Sequence, residues 1–202
     1  MSKQTSIVAL LTAIGISVLG AACSNQPSDS TAYSGPIVKT EPAQAASDKG
    51  DQVVTGGDLA FMNDAAPGGV AEVEMGRMAA KQAQSSEVKQ FGERMVVDHT
   101  KAGEELKQLA SIKKVTLPAM VNPKHKEAME KLSKLKGADF DHEYVTAMVA
   151  DHEKDVAAFE NAVKAGVDAD VKAFAAKTLP TLKAHLQMIR DIASKMDHKA
   201  TP

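Results

Sequence analysis

The chain has 202 residues, a formal net charge of −2 and only 3% aromatic residues, and it contains no tryptophan. This length is sufficient for one domain with a sizeable core. The nearly balanced charge gives no electrostatic basis for binding nucleic acid. Alanine, lysine, glutamate and methionine are plentiful, and this composition favours helices.

The N-terminal segment resembles a bacterial lipoprotein signal. Lys3 precedes an apolar run at residues 7–19, which is too short to span a membrane comfortably. Small residues then lead to Cys23, the only cysteine in the chain. The resemblance implies that residues 1–22 are removed and that Cys23 carries lipid. Gly20 stands where such signals usually have leucine, and an ordinary secretory signal is the alternative reading.

The segment after the cysteine predicts where the protein is held. Ser24, rather than aspartate, follows Cys23. By resemblance to Gram-negative sorting rules, this implies a lipid anchor in the outer membrane, with the domain in the periplasm. Residues 23–57 are rich in Ser, Pro, Gly, Ala and charges without a sustained period, so we predict a flexible tether.

The remainder of the chain has the periodicity of helices. Asp58 and Ser86 are predicted N-terminal caps, and Pro180 is predicted to kink the last helix. The sequence "APGG" at 66–69 predicts a break or kink in the first helix. A connection at 114–138 contains a short amphipathic piece, "KEAMEKLSKLK". The four long helices are predicted at 58–83, 86–113, 139–164 and 168–197.

The lengths of the connections predict the fold. Short links join the first two and the last two helices, and a long link joins the two pairs. This pattern predicts an all-α, ferritin-like four-helix bundle over 58–198, with a long crossover that carries a short extra helix. The predicted core stripes of the last three helices are Val88, Phe91, Met95, Leu106 and Leu109; Tyr144, Met148, Val156, Phe159 and Val163; and Phe174, Leu182, Ile189 and Ile192.

A repeated pentapeptide places histidines within these apolar stripes. The sequence "MVVDH" ends at His99, and "MVADH" ends at His152. His185 lies between Leu182 and Ile189 on the last helix. Three helices therefore each place one histidine on an apolar face, near the middle of the helix.

The midpoint of the first helix falls near Glu72, which lies on a stripe of small residues. Because the midpoints of four similar helices share one layer, we expect Glu72, His99, His152 and His185 to converge. Three imidazoles and a carboxylate are a suitable ligand set for one divalent transition metal such as Zn, Cu, Fe or Mn.

Asp98 and Asp151 precede two of these histidines. Adjacent helical residues point about 100° apart, so each aspartate is expected to reach a histidine on the next helix or to ligate the metal itself. A hydrogen-bonded layer without a metal would produce the same pattern. The surrounding residues are given ordinary roles: Met95 and Met148 fill the core, and Glu74, His125, His142 and His198 lie on the solvated surface.

With these residues identified, the chain resembles a bacterial family of ferritin-like domains of unknown function, often labelled predicted outer-membrane proteins. The resemblance covers about 58–197 and rests on the stretches "AEVEMGRMAAKQ", "RMVVDHTKAGEELKQLA", "YVTAMVADHEKDVAAFE" and "VKAFAAKTLPTLKAHLQMI". It implies that Glu72, Asp98, His99, His152 and His185 are the family's polar positions, and it brings no established activity. No histidine has glutamate three residues before it, which disfavours a di-iron carboxylate site.

These features favour a non-catalytic envelope lipoprotein whose bundle binds a metal or another ligand, in a stress-protection role. Two alternatives stay open: a metal-dependent redox enzyme that uses the same layer, and a structural or interaction module without a metal. The sequence offers no serine nucleophile motif, and its only cysteine is assigned to the anchor. The protein partners and the oligomeric state have no signature in the sequence.

Overall fold

The computed structural model of the protein describes residues 54–200, with side chains described up to Met196. The predictions for the signal peptide, for Cys23 and for most of the tether lie outside the described residues, as does the side chain of His198. The last residues of the predicted tether belong to the folded domain, because Val54 is buried and the first helix begins at Gly56.

The prediction of an all-α fold is confirmed by five helices. They are α1 (Gly56–Gln82), α2 (Ser86–Ile112), α3 (Pro123–Ser133), α4 (Gly137–Ala165) and α5 (Ala169–Ala200). The predicted break at 66–69 is wrong, because α1 continues through Pro67. Pro180 lies inside helix α5, and the kink predicted there stays a prediction, as does a kink at 66–69. The short helix α3 begins three residues before the predicted amphipathic piece, because Asn122 caps it and Pro123 occupies its first turn.

The helices form the predicted four-helix bundle with a crossover. Helix α1 packs against α2 and α4, and α5 packs against α4 and α2. An isolated bridge joins Ala83, at the end of α1, to Gly137, at the start of α4. The connection that contains α3 therefore returns along the length of the bundle, and all neighbouring long helices are antiparallel. Helix α3 packs against α1 and α4.

Two buried carboxylates hold the ends of the bundle together. At one end, Asp141 accepts hydrogen bonds from the backbone N–H groups of Gln84 (2.9 Å) and Ser85 (2.6 Å). At the other end, Asp58 Oδ2 accepts from the N–H groups of Val167 (2.8 Å) and Asp168 (2.7 Å). Asp141 of α4 therefore fixes the turn between α1 and α2, and Asp58 of α1 fixes the turn between α4 and α5.

The predictions of Asp58 and Ser86 as N-cap residues are wrong. Asp58 lies in the first turn of α1, and its carboxylate binds the α4–α5 turn, so Thr55 is the N-cap residue. The N-cap residue of α2 is Ser85 rather than Ser86, and its side chain makes no capping bond. Sequence periodicity does not reveal these long-range acceptors, because they are separated from their donors by more than 50 residues.

Replacing Asp141 with alanine is expected to lower the free energy of unfolding by about 3 kcal/mol, because two hydrogen bonds to a charged group are lost in a buried position. Chemical denaturation measures this change. Asp139→Ala is the matched control, since Asp139 lies two residues before Asp141 on α4 and is exposed. Equal stability losses for the two variants would contradict the assigned role of Asp141.

The buried apolar residues form two clusters along the bundle. One contains Met75, Met95, Tyr144, Met148 and Ile189, and the other contains Met62, Leu106, Phe159, Phe174 and Leu182. In α2, α4 and α5 the positions between these clusters are occupied by His99, His152 and His185. The fold thus places a polar layer between two apolar regions, and Met95 and Met148 are core residues of the first.

Small residues allow α1 and α2 to approach closely, as the small-residue stripe of the first helix predicts. A Cβ atom at Gly76 would lie 2.8 Å from the carbonyl oxygen of Gly92, and one at Gly92 would lie 2.7 Å from the Cβ of Ala79. This contact lies about one turn from Glu72 on α1. Among residues 54–200, no helix combines the length and the apolar character needed to cross a bilayer.

A candidate metal centre in the bundle core

The structure brings together the four residues predicted to share one layer. Ring centroids of the three histidines are 5.7 Å (His99 to His152), 5.4 Å (His99 to His185) and 5.5 Å (His152 to His185) apart. The three rings thus form a nearly equilateral triangle. Glu72, from α1, contacts two of them, and all four side chains are buried.

One nitrogen of each ring faces a hydrogen-bond acceptor. Nδ1 of His99 lies 2.9 Å from Glu72 Oε2, and Nδ1 of His152 lies 3.0 Å from the carbonyl oxygen of Met148. Nε2 of His185 lies 2.8 Å from Asp98 Oδ2. Because these partners are acceptors, they favour the tautomers in which those nitrogens carry the proton.

The second nitrogen of each ring has no hydrogen-bond partner, although it is buried. These atoms are Nε2 of His99, Nε2 of His152 and Nδ1 of His185. Ring nitrogens from the three residues lie within 4.8 Å of one another. Since buried polar atoms almost always have partners, one partnerless nitrogen on each of three neighbouring rings requires an explanation.

The environment keeps the three rings neutral. Burial lowers the pKa of His99 to about 4. Burial also lowers the pKa of His152 and of His185, and the nearby carboxylates only partly oppose this effect. The contact between His99 and Glu72 is therefore a hydrogen bond from a neutral ring rather than an ion pair at neutral pH. A neutral imidazole is the form that ligates metals.

Asp98 contacts one of the three histidines from a neighbouring helix. The sequence predicted that Asp98 would reach a histidine on another helix, and its carboxylate contacts His185 on α5. Arg94 also donates to Asp98 Oδ2, at 3.0 Å. Partial burial raises the pKa of Asp98, but the hydrogen bonds from His185 and Arg94 outweigh that effect and hold it below its usual value.

The sequence comparison identifies the family. A family model described as a domain of unknown function, DUF4142, matches residues 40–192. The chain belongs to the DUF4142 family. This match agrees with the predicted relationship to a bacterial family without an established activity. No curated protein matches the chain.

Solved structures of the same fold include two proteins of another uncharacterised family. A DUF305 fragment from Deinococcus radiodurans has a TM-score of 0.64 at 10% identity, covering 71% of this chain and 99% of that one. A putative secreted DUF305 protein from Streptomyces coelicolor has a TM-score of 0.61 at 14% identity, covering 70% and 92%. CopM in the Cu(II)-bound form has a TM-score of 0.59 at 17% identity, covering 68% and 96%. At these identities the similarity shows the fold alone.

In this DUF4142 domain, sequence analysis missed a fifth polar residue of the layer. Asp155 lies one turn after His152 on α4, and it borders the same small cavity as Glu72 and His99. Burial raises the pKa of Asp155 to about 8 and that of Glu72 to about 7. A protonated Asp155 can donate to Glu72, which in turn accepts from His99. The helical spacing from His152 was the signal that could have identified it.

The prediction for His125 is wrong. Its side chain is 14% exposed, because α3 packs it against the bundle, where Nε2 lies 3.7 Å from Asp151 Oδ2. Lys124 and Lys154 also lie within 4 Å of Asp151. Asp151 is therefore directed toward α3 and the cations beside it, and no contact in the described part of the chain assigns it to the histidine triangle. The surface predictions for His142 and Glu74 agree with their exposure.

Proposed function

We propose that this DUF4142 domain binds one divalent transition metal ion through His99, His152 and His185. The observation that carries the proposal is the group of three buried imidazoles, which offer ligand nitrogens within 4.8 Å of one another and each keep one nitrogen without a hydrogen-bond partner. A metal ion accepts a lone pair from each of them at once. The proposed function is therefore metal binding or handling in the cell envelope, without an assigned catalytic step.

A metal-free polar network explains this geometry less well. The proton-bearing nitrogens already donate to Glu72, to Met148 and to Asp98, so the remaining nitrogens are acceptors. A water molecule in the centre could donate only two hydrogen bonds to these three acceptors. A cation satisfies all three, and burial of the site strengthens the attraction.

Copper is the first ion to test, followed by zinc. Imidazole suits both, and copper binds nitrogen sites most tightly among the divalent first-row metals. CopM, which shares the fold, was solved in a Cu(II)-bound form. Ligand nitrogens around four-coordinate zinc stand about 3.3 Å apart, given bond lengths of about 2.0–2.1 Å. The rings, whose nitrogens lie within 4.8 Å, would therefore close inward by about 1.5 Å at most.

The geometry supports a positioning role for Glu72 rather than the ligand role predicted from sequence. Its Oε2 contacts Nδ1 of His99, which is the nitrogen opposite the free Nε2. Asp98 acts on His185 in the same way. Such carboxylates fix the tautomer and orientation of a ligating histidine and increase its basicity.

The proposed binding is tested by titrating the purified protein, freed of metal by chelation, with Cu(II) and with Zn(II). We expect one ion per chain and a higher melting temperature, because an ion at 100 times its Kd stabilises the folded state by about 2.7 kcal/mol. Addition of chelator should reverse the shift. A melting temperature that does not respond to either ion, together with the absence of uptake, would favour the metal-free network.

Replacing Asp98 with alanine is expected to weaken metal affinity by about 10–100-fold, because His185 loses the acceptor that orients it. Competition against a chromogenic chelator measures the affinity. Glu93→Ala is the matched control, since Glu93 is an exposed acid on the same helix. Comparable losses in both variants would indicate a general charge effect instead.

We also propose that the domain is held in the envelope by lipid on Cys23, as the N-terminal pattern predicts. Changing Cys23 to serine should move the protein from the membrane fraction to the soluble fraction and leave the precursor uncleaved. Fractionation followed by mass measurement of the N-terminus tests this. A Cys23→Ser protein that is cleaved normally and stays in the membrane fraction would rule out the anchor.

A further inference from the structure

The histidine layer is closed on one side and open on the other. On one side, the ring of Phe91 lies 6.1 Å from both His152 and His185, and the methionine-rich cluster fills the space behind it. On the other side, a cavity of about 40 Å³ is bordered by Glu72, His99 and Asp155. Phe159, Phe174 and Leu182 form part of its apolar wall.

The lining of this cavity comes from the next turn of each long helix. Gly69 precedes Glu72 on α1, Gly103 follows His99 on α2, and Asp155 follows His152 on α4. On α5, Leu182 precedes His185. The cavity therefore lies beside the histidine layer, along the axis of the bundle, and the histidine on its wall is His99. Glu72 Oε1 is buried without a hydrogen-bond partner and lies 3.6 Å from Nδ1 of His152.

A surface groove reaches the same place. It has a volume of about 500 Å³ and lies between α1, α2 and the segment at 117–119. Gly69, His99 and Gly103 line both the groove and the cavity. A Cβ atom at either glycine would meet nothing within 4 Å, so the absence of side chains there leaves open space between the two.

We infer that the metal ion keeps one coordination position open toward this cavity, and that a small ligand of two or three heavy atoms reaches it between Gly69 and Gly103. The inference rests on the proposed metal binding. Three imidazole ligands leave a four-coordinate ion with one free position, the arrangement of metal sites that bind exogenous ligands. The volume of the cavity limits the ligand to a few atoms.

Azide and benzoate are suitable probes, because both are anions and only azide fits a cavity of this size. The full protein is loaded with one equivalent of Cu(II) and titrated with each anion while the visible spectrum is recorded. We expect azide to produce a new charge-transfer band that saturates at one azide per copper, and benzoate to produce none.

Two variants test whether azide enters from the groove between Gly69 and Gly103. Gly103→Leu and Gly69→Leu each place a side chain between the groove and the cavity. Each should slow azide association by at least about tenfold, within the range that mutations change association rates, and leave copper stoichiometry unchanged. Gly57→Leu is the control, because its Cβ also meets nothing within 4 Å and it lines neither space. Gly103→Ala adds a smaller side chain at the same place, and it should not disturb folding because a Cβ there meets nothing within 4 Å.

The outcomes separate this inference from the proposed function. If the protein binds copper but excess azide leaves its spectrum unchanged, the open position is refuted and metal binding stands. Azide association as fast in both leucine variants as in the wild type would refute the route. If the protein takes up neither copper nor zinc, both the proposed function and this inference fail.

Discussion

Replacing His152 with alanine is expected to reduce Cu(II) affinity by more than about 100-fold. This exceeds the usual effect of losing a residue that only hydrogen-bonds to a metal ligand. His152 is fully buried and supplies one of the three free nitrogens, so its removal leaves an incomplete coordination shell. His99→Ala and His185→Ala should have effects of similar size. Competition with a chelator of known affinity measures all three.

The matched control is His142→Ala. His142 lies on α4, like His152, but its side chain is exposed. The melting temperature of each metal-free variant must be recorded, because a buried truncation also lowers stability. If the three buried variants retain wild-type affinity while remaining folded, the histidine triangle is not the metal site.

A second large effect is expected where α1 and α2 touch. Gly92→Ala should lower the free energy of unfolding by about 1–3 kcal/mol, because overpacking forces the helices apart. The added Cβ would lie 2.7 Å from the carbonyl oxygen of Gly76 and 3.0 Å from the backbone nitrogen of Ala80. Backbone atoms cannot rotate away as the end of a flexible side chain can. Urea denaturation measures the change.

Gly103→Ala provides a comparison of opposite sign. Gly103 is on the same helix, and a Cβ there meets nothing within 4 Å, so the higher helix propensity of alanine should raise stability by about 0.5–1 kcal/mol. The same substitution is thus expected to destabilise one position and stabilise the other. Changes of the same sign at both positions would contradict the close helix contact.

The fold was predictable because its signals are local and periodic. The apolar stripe of α2 recurs with helical spacing. Its predicted residues Val88, Phe91, Met95 and Leu106 are buried, and Leu109 is partly buried. The connection lengths then restricted the topology to a bundle with a crossover. The bounds of the helices were less predictable, since they depend on acceptors from other helices, as with Asp141 and the start of α2.

The candidate site was partly predictable for a related reason. Helix midpoints in a bundle share one level, and the apolar stripes turn the three histidines inward. His99, His152, His185 and Glu72 could therefore be placed together from the sequence. The exact rotation of each helix about its axis decides which side-chain atoms touch, and the sequence contains little information on that angle. The contact of Glu72 with Nδ1 of His99 could not be predicted, and neither could the packing of His125 by α3.

The central claim is that one metal ion is held by three imidazole nitrogens, and electron spin resonance of the protein loaded with one equivalent of Cu(II) tests it most directly. Pulsed measurements count the imidazoles coupled to the copper through the remote nitrogen of each ring. We predict a single copper species with three coupled imidazoles, reduced to two in His152→Ala where copper is still retained at high concentration. A spectrum of loosely bound copper, or one without coupled imidazoles, would contradict the account.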